Sequence, residues 1–169
     1  MMKLLNHCLV ISLALAAPAV TAQDTPDTLQ AEFVFEVRAE LSPAIVNGET
    51  SDGRRLAIPI TGGDFTGENI RGDVLAGGAD YQLVRPDGVT EVHAVYMIRT
   101  DDGALINVVN DGIIVPPASQ GGAPYIRTTP KFTAPVGKYD WLNKNVFLSN
   151  LVVKPERPGM VFVQIYRVR

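Results

Sequence analysis

The chain has 169 residues, with 15 basic and 18 acidic side chains, a net charge of −3 and 46% hydrophobic residues. Acids and bases are interspersed and form no basic stripe, which excludes nucleic acid as an expected partner, because phosphate binding needs clustered Lys and Arg. The length suits one domain around one core.

In chain order, Lys3 gives a basic start and Leu9 to Ala17 (LVISLALAA) is an apolar run. A membrane span needs about 20 apolar residues, and Pro18 and Thr21 cut this run short. Val20 and Ala22 then supply the small residues of a cleavage site. Residues 1–22 therefore read as a secretory signal peptide, and the protein is expected to be periplasmic or secreted, to begin at Gln23 and to have no membrane contact after cleavage. A lipid anchor at Cys8 is rejected, since no small residue adjoins it and the apolar run follows it. Residues 23–29 read as a polar, flexible lead-in and 30–169 as the domain. Loss of the leader removes the sole Cys and His7, leaving His93 as the one imidazole. Disulfides, thiolate nucleophiles and multi-histidine metal sites are then not expected.

The remainder reads as strands. Ala31 to Glu40 alternates, with Phe33, Phe35 and Val37 on one face and Glu32, Glu36 and Arg38 on the other, the period of a half-buried strand. Asn47-Gly48 and Asp52-Gly53 punctuate, and Arg54 to Ile60 is a short strand in which Pro59 marks an edge or bulge. Ala79 to Val84, Val89 to Thr100 and Ala104 to Val115 form a meander. Its turns fall at Arg85-Pro86-Asp87-Gly88 and Asp101-Asp102-Gly103, and a bulge is expected at Asn110-Asp111-Gly112. Tyr125 to Thr133, Asn145 to Val153 and Met160 to Val168 complete the set, and only residues 138–144 suit one or two helical turns. Strands every 8–12 residues favour an all-β barrel or sandwich. The long strands and glycine clusters favour a single antiparallel barrel, which removes edge strands.

The glycines from Gly62 to Gly78 precede strand-like residues, not a helix N-terminus. They read as corners and bulges and not as a phosphate loop. Ile58-Pro59-Ile60-Thr61-Gly62-Gly63, Phe65-Thr66-Gly67, Arg71-Gly72 and Gly77-Gly78-Ala79-Asp80-Tyr81 follow one another here. Further on come Arg99 to Ile106 (RTDDGALI), Tyr125 to Phe132 (YIRTTPKF) and Tyr139 to Asn143 (YDWLN). In this combination the chain resembles the DUF3237 (UPF0311) family. The resemblance implies a β-barrel of allene oxide cyclase-like or calycin-like architecture and supplies no particular activity.

Within these motifs Asp80, Arg99, Tyr125, Arg127, Trp141 and Asn143 are the candidates for a lumen. Alternation puts Arg127 on one face with Tyr125 and Thr129, where it would bind a carboxylate or enolate, or else form an ion pair with Asp80. A buried Asp80 would serve as a general base or acid, and an exposed one would cap a turn. Asn143 would donate to a developing oxyanion or cap its turn, Trp141 would pack as a plug or platform, and Arg99 would meet the neighbouring acids. His93 has no triad context, and the serines lack a nucleophile elbow. No metal and no cofactor are expected.

Two functions fit. One is a cofactor-free lyase, isomerase or cyclase acting on a small carbonyl- or carboxylate-containing compound, with Asp80 abstracting a proton while Arg127 and Asn143 hold the oxygen. The other is a binding module without catalysis. A filled barrel acting through its surface is a third reading, and a homo-oligomer is left open.

Overall fold

Residues 28–169 are described by the computed structural model; the expected signal peptide and most of the lead-in lie outside the described residues. The strands are β1 (Ala31–Leu41), β2 (Ile45–Thr50), β3 (Gly53–Gly67), β4 (Arg71–Val74), β5 (Gly78–Val84), β6 (Thr90–Thr100), β7 (Leu105–Val115), β8 (Tyr125–Thr133), β9 (Phe147–Val153) and β10 (Met160–Val168). A 3-10 turn, Asp140–Lys144, joins β8 to β9.

Every pairing is antiparallel, and β1 pairs with both β10 and β3, so the sheet closes on itself. Two staves of the barrel are broken strands. β1 and β2 both pair with β3 and are separated by a kink at Ser42–Ala44. β4 and β5 both lie between β3 and β6 and are separated at Leu75–Gly77. Counting each as one, eight staves form a closed antiparallel barrel.

Local chemistry explains the breaks. The Pro59 carbonyl accepts from the Ser42 amide at the kink, and its missing N–H points to the same side, where no continuous partner strand is present to lose a ladder bond. Gly63 has φ +124°, and a Cβ built there would stand 2.0 Å from the Arg38 carbonyl oxygen. This glycine lets β1 and β3 approach. None of the turns between β3 and β5 opens a helix, consistent with the reading of these glycines as corners.

Three local expectations are corrected. β3 runs on to Gly67, because β1 pairs with it through Gly62 and Gly63, opposite Glu40 and Ala39, where the β4–β5 side is broken. Asn47-Gly48 is a bulge within β2 and not a turn. β7 pairs with β6 without interruption from Leu105 to Ile114, so no bulge occurs at Asn110.

The aromatic part of the core fills one half of the barrel. There Phe35, Phe65, Phe132 and Phe147 pack together, with ring centroids 5.8 Å apart for Phe35–Phe65 and Phe35–Phe132 and 5.1 Å for Phe132–Phe147. The 3-10 turn closes this end by burying Leu142 beneath Tyr139 and Trp141. Asp102 in the β6–β7 turn holds the closure, accepting from Lys138 Nζ at 2.7 Å and Tyr139 Oη at 3.0 Å. Lys138, with Thr100 and Tyr139, keeps the Asp102 carboxyl well below the usual range.

Candidate functional site

At the opposite end the inward residues are smaller or polar. Ala39 on β1, Asp80 and Gln82 on β5, Ala94 on β6 and Asn110 on β7 point inward with Ile60, Leu151 and Val163, and they enclose a cavity of about 240 Å³. Tyr96 forms part of the same wall, and burial raises its hydroxyl above the ordinary tyrosine range.

Asp80 is the polar centre of this cavity. Its Oδ2 accepts from Gln82 Nε2 at 2.6 Å and its Oδ1 from the His93 amide at 3.1 Å. Burial pushes the carboxyl up, and the Gln82 and His93 bonds only partly counter it. An acid whose proton is held more tightly in the folded than in the unfolded chain favours folding least once ionised. Stability should therefore fall as pH rises from the ordinary carboxyl range through the raised value. Asp80→Asn should abolish that fall and leave the protein at least as stable at neutral pH. Melting temperature against pH for the two proteins checks this, and parallel curves would show that Asp80 is not buried as described.

Asn110 completes the polar set. It is 4% exposed, and its Oδ1 has no hydrogen-bond partner among the described residues. Register places Asp80 opposite Ala94 and Ala94 opposite Asn110, so the two polar groups flank one methyl. In the sequence Asn110 is masked by Asn-Asp-Gly, which is turn chemistry. The signal was the alternation Ile106, Val108, Asn110, which puts the amide in step with two core residues.

The remaining candidates are not brought to this cavity. Arg127 does share a face with Tyr125 and Thr129, but that face is outside the barrel. Ile126, Thr128, Pro130 and Phe132 point inward, because Phe132 belongs to the aromatic core. Arg127 stacks 5.0 Å from the Tyr125 ring centroid and donates to the Ile126 carbonyl at 2.7 Å, and neither interaction involves Asp80. Arg99 is also outside and pairs with Asp73 at 2.8 Å across the β4–β6 seam, not with the turn acids. Trp141 packs against Phe147 at the closed end. Asn143 pins the 3-10 turn to the end of β8, accepting from the Ala134 amide at 2.8 Å and donating to its carbonyl at 2.9 Å.

The fold and cavity together define a closed antiparallel β-barrel, packed with aromatics at one end and hollow at the other. Residues 29–168 match the family described as protein of unknown function DUF3237, and the chain belongs to that family. A UPF0311 protein of Clostridium acetobutylicum is 38% identical, over 79% of this chain and 92% of its own. A protein of Penicillium herquei named hydroalkoxylation enzyme phnH is 33% identical, over 77% of this chain and 80% of its own. A crystal structure from Acinetobacter baumannii, described as a beta-barrel like protein, superposes with a TM-score of 0.79 at 31% identity, covering 87% of this chain and 100% of that one.

Proposed function

We propose that the hollow half of the barrel binds a small, largely apolar organic molecule and rearranges it without a cofactor, by proton transfer at Asp80. The observation that carries this reading is a carboxyl raised by burial in the wall of a largely apolar cavity, held there by Gln82 and the His93 amide. Such a group keeps its proton to higher pH than an ordinary carboxyl and can give it up to a substrate. The naming of the Penicillium relative supports the same chemistry. Hydroalkoxylation adds an O–H across a carbon–carbon double bond and consumes no other reagent. Asp80 would donate its proton to one alkene carbon while the substrate oxygen bonds to the other. The hydroxyl proton then returns to the carboxylate, so atoms and charge balance. Gln82 and the His93 amide hold the carboxyl in place through this cycle.

An ortho-alkenyl phenol is a suitable probe, with cyclisation followed by NMR. Asp80→Asn should slow it by about 10²–10⁴-fold, the usual contribution of a positioned acid–base group. Cyclisation unaffected by the substitution would remove Asp80 from the chemistry, and binding without any turnover would favour the binding module.

Export belongs to the same proposal. The leader pattern of residues 1–22 supports it, and N-terminal sequencing of the fractionated protein should begin at Gln23. An intact Met1 in the cytoplasm would overturn it.

A further inference from the structure

Tyr96 enters the lumen from β6, on the same inward face as Ala94, and its ring packs in the core. A Cβ built at Gly78 would stand 2.5 Å from the Tyr96 Cβ, so the bare backbone of β5 is what lets the ring leave β6 there. The hydroxyl makes no hydrogen bond to any described residue, and burial alone raises it above the ordinary tyrosine range. Its oxygen is not sealed off, because the enclosed and unpartnered side-chain atom among the described residues is Asn110 Oδ1. Phenylalanine would give the core the same ring without a polar atom to satisfy. The hydroxyl is thus a donor with access to the lumen and no acceptor of its own.

Asp80 does not supply that acceptor, since its two oxygens take Gln82 Nε2 and the His93 amide. It stands opposite Ala94, two residues along β6 from Tyr96, a diagonal of about 7–8 Å in a paired sheet. One small molecule can therefore touch both groups. The acceptor it brings is uncharged. Neither Lys nor Arg lines the cavity, and a carboxylate would lose its water beside Asp80 with no cation to receive it. A ketone oxygen offers its lone pairs to the one donor and brings no proton that would itself need a partner.

Resting on the proton-transfer reading above, we infer that Tyr96 is a second catalytic residue, donating its hydroxyl to a ketone oxygen of the substrate, to which the reacting double bond is conjugated. The substrate's own hydroxyl oxygen then bonds to the alkene carbon remote from the ketone. The π electrons move onto the ketone oxygen, where the Tyr96 O–H stabilises the negative charge. Asp80 protonates the carbon next to the ketone, the C=O re-forms, and the substrate's hydroxyl proton returns to the carboxylate. One O–H is added, nothing else is consumed, and Tyr96 keeps its proton throughout.

Infrared spectra of the whole protein with acetophenone, isotope-labelled at the carbonyl, test the donor without requiring turnover. Ethylbenzene has nearly the same shape without the oxygen and serves as the reference in calorimetric titration. Wild type should lower the frequency of the bound carbonyl below its value in hexane. Tyr96→Phe should return it to the hexane value, weaken acetophenone about tenfold, as for one lost buried hydrogen bond, and leave ethylbenzene unchanged. The wild-type frequency is decisive even if the variant does not fold, because a bound carbonyl at its hexane value overturns the inference. A lowered frequency that survives Tyr96→Phe and is lost in Asp80→Asn would assign the donor to Asp80 and also overturn it. Acetophenone bound with an unshifted carbonyl, and excluded when Ala94→Phe fills the lumen, would defeat the inference and leave lumen binding intact. No binding of either probe would defeat both.

Discussion

Replacing Phe35 with alanine is expected to lower the unfolding free energy by about 3–5 kcal/mol, the range for truncating a fully buried aromatic residue. Phe35 is 0% exposed, and its ring lies between those of Phe65 and Phe132. The loss should sit near the top of that range because the surrounding wall cannot close inward. β1 is hydrogen-bonded to β10 on one side and β3 on the other, which fixes the barrel radius at that level. Truncation thus leaves a void that neither neighbour can fill. Urea denaturation measures the effect, and a loss under about 1 kcal/mol would mean that this half of the barrel is not close-packed.

The second large effect is expected at Gly63. Alanine there would force a φ of +124° on a residue with a side chain, and its Cβ would overlap the Arg38 carbonyl oxygen at 2.0 Å. The backbone conformation alone costs about 1–3 kcal/mol, and the overlap with backbone has no rotamer by which to escape. Gly63 lies opposite Ala39, so the displacement falls on the β1–β3 seam that completes the barrel. Gly63→Ala should lose stability by roughly 3 kcal/mol or more and speed amide exchange along β1 first. An unchanged melting temperature would show that the close approach of β1 and β3 is absent.

These two sites illustrate what the sequence made legible. Alternation in β1 groups Phe33, Phe35 and Val37, but only Phe35 and Val37 are buried; a bulge between Phe33 and Phe35 turns Phe33 out to the surface. The glycine cluster reads as backbone geometry and opens no helix. The length of β3 was not legible, because local chemistry treats Gly62-Gly63 as an interruption. The interruption is overridden by β1, whose Ala39 and Glu40 pair with the two glycines from more than twenty residues away in the chain. The same distinction governs the site. Period two correctly grouped Tyr125, Arg127 and Thr129, but it carries no sign for inside and outside. The sign came from Phe132, whose place in the aromatic core turns Thr128 inward and Arg127 outward. Asp80 is legible as a candidate because it lies in the glycine-rich motif, while Asn110 is hidden by a tripeptide that usually turns and here simply continues a strand.

A half-filled barrel also explains how stability and a ligand site coexist in one small domain. The aromatic core and the pinned 3-10 turn occupy one end, and small or polar side chains such as Ala94 and Asn110 leave space at the other. The central claim is that the cavity beside Asp80 is where a ligand sits. Native mass spectrometry of wild type and Ala94→Phe, each incubated with α-naphthol, tests it most directly. The account predicts a one-to-one adduct on wild type that is absent from the correctly folded variant, whose new ring fills the lumen. An adduct of equal occupancy on both proteins would place the ligand outside the barrel and contradict it.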